Sequence, residues 1–210
     1  MTEPENTAAE SHLSEAVEKT EGLQPWRRLF HATNGTLVVV ALALLGLSRP
    51  TALLILGIIL GVLAIMDLVR LLDPTVNVLF FRTFSSLASP REQKKIASST
   101  WYAASLLLVL LLFPLAYALA GILVLAWADP AANVIGQKTG RRPFLAGTVR
   151  GTATFVLVAF CASVFFVPWW MALVAATVTG LVEAAPLELD DNLIVPVTAA
   201  SLLYLMGLLI

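Results

Sequence analysis

The sequence predicts an all-α, polytopic membrane protein of about seven transmembrane helices with its N-terminus in the cytoplasm. Of its 210 residues, 59% are hydrophobic and 13% charged, against roughly 45–50% and about 25% in a soluble domain. The apolar excess falls into long uncharged runs, the mark of membrane spans. The basic residues are sorted by loop: twelve of the 13 Lys and Arg fall on one side of that seven-span arrangement, and only Arg49 on the other. Such a split supports both span count and orientation.

The expected spans are about Leu29–Leu47, Thr51–Val69, Ile96–Phe113, Pro114–Ala128, Thr152–Val167, Trp169–Ala185 and Leu193–Ile210. Phe113-Pro114 alone separates the third from the fourth. Pro114 should end one helix and begin the next, because proline suits the first turn and breaks an interior. Pro168 does the same between the fifth and sixth. Before the first span, residues 1–24 carry six glutamates against Lys19, the reverse of a secretory signal, and read as a disordered acidic tail with a short helix around Leu13 to Lys19. Residues 25–210 form the membrane domain. The single Cys161 lies in an apolar run, so no disulfide framework exists, and it reads as a small buried hydrophobe.

The connections on the outer side are minimal turns. Those on the cytoplasmic side hold nearly all the polar chemistry. Between spans 4 and 5, Asp129-Pro130 predicts a new helix with Asp129 as its cap. On that helix Asp129, Asn133, Gly136 and Gly140 share a face, polar and then bare, which lets a phosphate or another helix approach the backbone. Lys138, Arg141, Arg142 and Arg150 follow, the cations a polyphosphate needs. The plainer reading is a positive-inside anchor at the lipid headgroups. No Walker A pattern occurs, which excludes a P-loop as the phosphate cradle.

The next cytoplasmic loop is acidic. Glu183, Glu188, Asp190 and Asp191 fall within nine residues and are followed by Asn192. With Asp129 on the same face, Asp190 and Asp191 offer hard oxygen ligands for Mg²⁺, which takes one or two carboxylates plus substrate phosphates. A spare carboxylate is then free to act on an attacking hydroxyl. The plainer reading is a solvated turn in which Asp190 or Asp191 caps the last helix. Arg27 and His31 share a face at the start of span 1. Asp67 and Arg70 pair across i, i+3 at the end of span 2. Arg91 to Lys95, with Lys94 and Lys95, reads as an amphipathic segment at the membrane surface. No zinc spacing or dinucleotide fingerprint is present, and the basic residues lack the interleaved aromatics of a nucleic-acid surface.

Four of these stretches together resemble the polyprenol kinase family, which takes in dolichol kinase, phytol kinase and CTP-dependent diacylglycerol kinase and is distantly similar to CDP-diacylglycerol synthase. They are Arg27-Arg28-Leu29-Phe30-His31; Arg91 to Ile96 leading to Trp101-Tyr102; Asp129 to Gly136 with Gly140; and Glu183 with Asp190-Asp191-Asn192-Leu193 and Pro196. The resemblance covers about residues 27 to 196. It implies phosphoryl transfer from CTP, or another nucleoside triphosphate, to an isoprenoid or other lipid alcohol at the cytoplasmic interface. Asp129, Glu183, Asp190 and Asp191 would be catalytic, and Asn133, Gly136, Lys138, Gly140, Arg141, Arg142, Arg150 and Asn192 would hold the nucleotide. His31, Arg27, Lys94 and Lys95 are further candidates. The alternatives are a cytidylyltransferase that makes a CDP-lipid and an inactive relative. The second of these arises because the family's Gly-Lys-Ser-x-Glu-Gly segment reads Ala146-Gly147-Thr148-Val149-Arg150-Gly151 here, with glycine in the lysine position and arginine in the glutamate position. A phosphate contact made by that lysine would pass to Lys138, Arg141, Arg142 or Arg150.

Overall fold

A computed structural model describes residues 12–20, 22 and 24–209. The chain is helical almost throughout, and each of the seven expected apolar segments is a helix. In chain order these are α1 (Pro25–Ala43), α2 (Arg49–Leu72), a short α3 (Pro74–Thr83), α4 (Ser98–Leu112), α5 (Leu115–Leu123), α6 (Asp129–Thr139), α7 (Val149–Ser163), α8 (Trp169–Glu183) and α9 (Asp191–Gly207). Among the described residues, Arg49–Leu72 and Leu115–Thr139 are the two helices long and apolar enough to cross a membrane. Ser98–Leu112, Val149–Ser163, Trp169–Glu183 and Asp191–Gly207 are shorter apolar helices.

The break at Phe113-Pro114 is real: α4 stops at Leu112 and α5 starts at Leu115. Arg49 closes that end. Its guanidinium donates to the carbonyls of Leu110 (2.6 Å), Leu111 and Phe113, taking up acceptors that the last turn of α4 leaves without intrahelical partners.

Small residues build the interior. Ala118, Ala120, Gly121, Ala126 and Ala128 line the central helix, Ala172, Ala175 and Ala176 line α8, and Ala199 and Ala200 line α9; all are buried. Hydrocarbon gives helices no hydrophobic reason to associate, so close backbone approach and packing must hold them. Large side chains point outward instead: Leu54, Ile58, Val62, Ile65 and Leu68 of α2 are exposed. Cys161 belongs to this outer set. It is exposed on α7 and is not the buried hydrophobe expected. On a helix that is apolar on its outer face as well, the burial of one apolar residue does not follow from its neighbours.

Gly35 shows how tight the interior is. A Cβ there would meet the Tyr102 hydroxyl at 2.5 Å and the Ala126 Cβ at 2.7 Å. We expect Gly35→Ala to lower stability by about 1–3 kcal/mol through overpacking, read as an earlier thermal unfolding transition in detergent.

Two further features depart from expectation. Asp129 does not cap a new helix. Its backbone is helical (φ −61°, ψ −52°), and one helix runs from Leu115 through Thr139. The break is replaced by a π segment, Val124–Ala128, immediately before Pro130. An α-helical proline clashes with the carbonyl four residues back and cannot donate to it, and the wider i→i+5 turn relieves both faults. The second departure is α3, which falls inside a segment expected as a loop. The short helix expected near Leu13 is present at 12–18, and it buries Leu13 and Ala16 against Val78, Phe81 and Ala88. Residues 1–11 of the expected tail lie outside the described residues.

Candidate active site

One end of the bundle gathers the polar chemistry: the N-termini of α1, α4 and α9, the start of α6 and the C-terminus of α8. At its centre is Asp129. Asn133, one turn on, donates its amide to Asp129 Oδ1 (2.9 Å) and to the Asp129 carbonyl (3.0 Å). The other carboxylate oxygen has no partner among the described residues. Charges within Coulombic range of Asp129 are Asp191, Arg27, Arg28 and Asp190. Those around Glu183 are Asp129 and Asp191. The fold therefore brings together all four carboxylates expected to be catalytic.

They do not play one role. Asp190 is the N-cap of α9. Its Oδ1 accepts from the Asn192 backbone N–H (3.0 Å) and side-chain amide (2.7 Å), and its Oδ2 accepts from Ser98 Oγ (3.1 Å). Asp191 makes no such bonds. Much of that residue is accessible, yet its carboxyl is desolvated among the helix ends; this, ahead of repulsion from Asp190, holds it above the usual carboxylate range, with Arg91 pulling the other way.

Arg28 is the cation most available to a ligand here. Its Nη1 is buried with no hydrogen-bond partner among the described residues. Burial lowers its affinity for the proton, and Asp129 opposes that. Arg27 is already engaged, 3.3 Å from Glu92 Oε1 and donating to Gln24 Oε1. His31 is buried, its ring 4.5 Å from that of Tyr102, whose hydroxyl donates to the His31 carbonyl. Asp190 and Asn192 are its neighbours on the α9 side.

The basic cluster lies elsewhere. From Asp129 to Lys138 the helix advances about 14 Å at 1.5 Å per residue. Lys138, Arg141, Arg142 and Arg150 are exposed, and none is among the charges that act on Asp129. Arg150 donates to the Thr139 carbonyl and so caps α6. The bare glycine face is occupied: a Cβ at Gly136 would meet Thr148 Oγ1 at 3.1 Å and Gly151 Cα at 3.5 Å, and one at Gly140 would collide with Thr148. The glycines let the α6 end seat against a small hairpin, Pro143–Phe144 with Gly147–Thr148, and the start of α7. Lys94 and Lys95 are exposed beside a 3-10 turn, Pro90–Lys94, and the turn itself buries Glu92.

No cluster of three His, Cys, Asp or Glu forms a ready metal cage among the described residues. Mg²⁺ needs less from protein, one or two carboxylates, because it keeps waters and substrate phosphates. Asp129, with one free oxygen, and Asp191, with both, fit that requirement. Asp190 fits less well, since both its oxygens already accept hydrogen bonds.

Beside this centre is a cavity of about 370 Å³ between α1, α2, α3 and α4, lined almost wholly by apolar side chains, with Arg27 and His31 at its polar end.

Sequence reasoning missed Arg28, Arg91 and Ser98 as parts of the site. The consecutive arginines Arg27 and Arg28 point about 100° apart on a helix, and nothing local says which faces Asp129. Ser98 meets Asp190 across 92 positions.

Comparison with known proteins finds lipid kinases. CTP-dependent diacylglycerol kinase 1 of Schizosaccharomyces pombe is 28% identical over 163 residues, covering 66% of this chain and 73% of its own. The Saccharomyces cerevisiae protein of the same name is 26% identical over 204 residues, covering 83% and 70%. Dolichol kinase EVAN of Arabidopsis thaliana is 38% identical over 106 residues, covering 41% and 18%. The homologues are lipid kinases. They match the family that the four motifs resemble. No family model matches the chain, and no solved structure does.

Proposed function

We propose that the protein is a membrane lipid kinase that transfers the γ-phosphoryl group of CTP to the hydroxyl of a lipid alcohol at the cytoplasmic face. All seven apolar helices span the bilayer in this reading, with the N-terminus inside. The basic loops and the carboxylate cluster then share the cytoplasmic side, which the distribution of Lys and Arg supports. The observation that carries the reading is the convergence of Asp129, Glu183 and Asp191 with the unpartnered Arg28 nitrogen, next to an apolar cavity. Such a centre suits a polyanion arriving from water and an alcohol arriving from lipid.

CTP enters over the exposed rim of Lys138, Arg141, Arg142 and Arg150, which raises the local concentration of polyanions. It lies lengthwise along α6 with its terminal phosphate toward Asp129. Arg28 and Arg27 meet the phosphate oxygens. Asp129 and Asp191 would hold Mg²⁺, which when bound neutralises charge on the phosphate oxygens. The lipid oxygen attacks the γ-phosphorus. The new P–O bond forms as the bond to the bridging β,γ oxygen breaks, and CDP leaves. The hydroxyl proton passes to a carboxylate free of the cation, for which Glu183 is the candidate. Asn133 and Ser98 fix Asp129 and Asp190, so little reorganisation accompanies the step.

CTP labelled in the γ- or the α-phosphate, offered with a panel of diacylglycerol, phytol, dolichol and phosphatidate, tests the reaction. We expect γ-label in the extracted lipid and α-label only in CDP. Label from the α-phosphate in the lipid identifies a cytidylyltransferase instead. No label from either, nor from γ-labelled ATP or GTP, identifies an inactive relative.

A further inference from the structure

The cavity beside the centre is amphiphilic in one direction. Arg27 and His31 stand at its polar end, and the walls beyond are apolar, among them Leu56, Leu63, Met66 and Leu106. The exposed side chains Phe30, Leu37, Ile59 and Met66 edge the groove where α1 and α2 diverge, so it opens toward the apolar outer face of α2. Glu92, Ser99 and Tyr102 also line the cavity, Ser99 from the first turn of α4 and Tyr102 with its hydroxyl bound to the His31 carbonyl, and α1 adds one further polar side chain. Asn34 lines the cavity one helical turn below His31, about 4.5 Å further along α1. Its side-chain amide makes no hydrogen bond with any described residue. A polar group facing hydrocarbon without a partner is costly and generally marks function.

We propose that this groove is the acceptor-lipid site, and that Asn34 donates its amide N–H to an ester carbonyl of the bound lipid. The acceptor is then an acylated glycerol type of alcohol, not a bare prenol. This rests on the lipid kinase reading for the identity of the reaction, although not for binding. A free hydroxyl placed at the polar end, next to His31 and Arg27, puts a glycerol ester about one turn lower, at the depth of Asn34. A prenol has no atom there to accept the hydrogen bond.

Two measurements test this in phosphatidylcholine nanodiscs. In the first, dioleoylglycerol is compared with the dioleyl ether analogue, which lacks both carbonyls. We expect Asn34→Leu to raise the KM for the ester about fivefold, the value of one neutral hydrogen bond. The KM for the ether, the KM for CTP and kcat should stay within about twofold. Equal effects on ester and ether, or none, overturn the role of Asn34. In the second, a diacylglycerol with a diazirine at one acyl end is photolysed on the protein and the adducts are mapped. We expect adducts on Leu63 or Leu106, lost in Leu63→Trp and competed better by the ester than by the ether or by dolichol. Adducts confined to other helices overturn the site, and equal competition by dolichol overturns the acceptor class. Groove labelling in a protein that phosphorylates no lipid leaves the site standing and sinks the kinase reading.

Discussion

Asp129→Asn should cut phosphoryl transfer by about 10²–10⁴-fold, the range lost when a positioned carboxylate is removed from a reacting centre. The same substitution should leave the protein at least as stable as before. Asp129 has Asp191 and Asp190 in range as well as Arg27 and Arg28, and Glu183 has Asp129 in range in turn. The carboxylate is buried among like charges, so removing its charge ends a desolvation cost and a repulsion that together outweigh its attraction to the two arginines. Asparagine keeps the shape and one oxygen to accept from Asn133. The geometry also survives because Asp129 does not cap a helix, so no cap is lost. The assay is transfer of γ-label from CTP to lipid, run beside thermal unfolding in the same detergent. Activity within threefold of wild type would remove Asp129 from the centre. Lost activity with a collapsed transition would show a structural role instead.

That dissociation depends on a feature the sequence misread. The chain contains two Asp-Pro pairs, and they look alike locally. Asp73-Pro74 behaves as the dipeptide predicts: Asp73 is extended, and its side chain accepts from Thr75 and Val76 to start α3. Asp129-Pro130 lies inside a continuous helix, because the π segment before it accommodates the proline. Nothing within a few residues distinguishes the pairs. What differs is tertiary: Val124, Leu125, Ala126 and Ala128 are buried in a segment packed on α1, α7 and α9, while Asp73 sits at an exposed turn. The apolar runs and their proline breaks were legible because hydrocarbon length and proline geometry are local constraints. Which face of each helix looks inward was not. Small residues mark helix contacts in lipid, but Cys161 shows that a small residue can face outward as well.

The site was legible in its residues more than in its layout. The four carboxylates converge because helix topology returns α6, α8 and α9 to the same end, and that follows from the span count. The bare face of Gly136 and Gly140 invited a phosphate, yet Thr148 and Gly151 fill it. That contact pairs α6 with a hairpin whose existence depends on backbone pairing between Pro143–Thr148 and Phe144–Gly147. The basic cluster reads in sequence as contiguous with Asp129, but a helix holds it about 14 Å away. Its altered Gly147 and Arg150 fall on this rim, away from the carboxylates. In the proposed reading, the departure from the resembled motif therefore bears first on how the nucleotide would be held, and only indirectly on the transfer step.

Arg70→Met should behave in the opposite way to Asp129→Asn, costing about 3–5 kcal/mol of stability, the range for breaking one half of a buried ion pair. Arg70 is 1% exposed. Its Nε is 2.6 Å from Asp67 Oδ1, its Nη1 donates to Asn77 Oδ1 and the Glu92 carbonyl, and its Nη2 donates to the Lys95 carbonyl. The guanidinium carbon lies 4.6 Å from the Phe80 ring centre. Asp67 completes the clamp by accepting from the Ala97 N–H (3.0 Å) and Thr100 Oγ1 (2.6 Å). One buried arginine thus ties α2 to α3, to the 3-10 turn and to the start of α4. Methionine fills the volume but leaves the Asp67 carboxylate, the Asn77 oxygen and two carbonyls short of a donor. Arg70→Lys should recover only part of the loss, since one ammonium cannot reach four acceptors in three directions. Asp67→Leu with Arg70→Met should also recover only part, because Ala97 and Thr100 then lose their acceptor. The clamp connects to catalysis through one further link. Ser98 follows directly on this segment, its N–H donating to Glu92 and its hydroxyl to Asp190. Loosening the turn frees Asp190, so below its unfolding temperature Arg70→Met should lose roughly tenfold in kcat by misplacement. A variant that unfolds early but transfers phosphate at the wild-type rate when cold would show that the clamp holds the fold without positioning the centre.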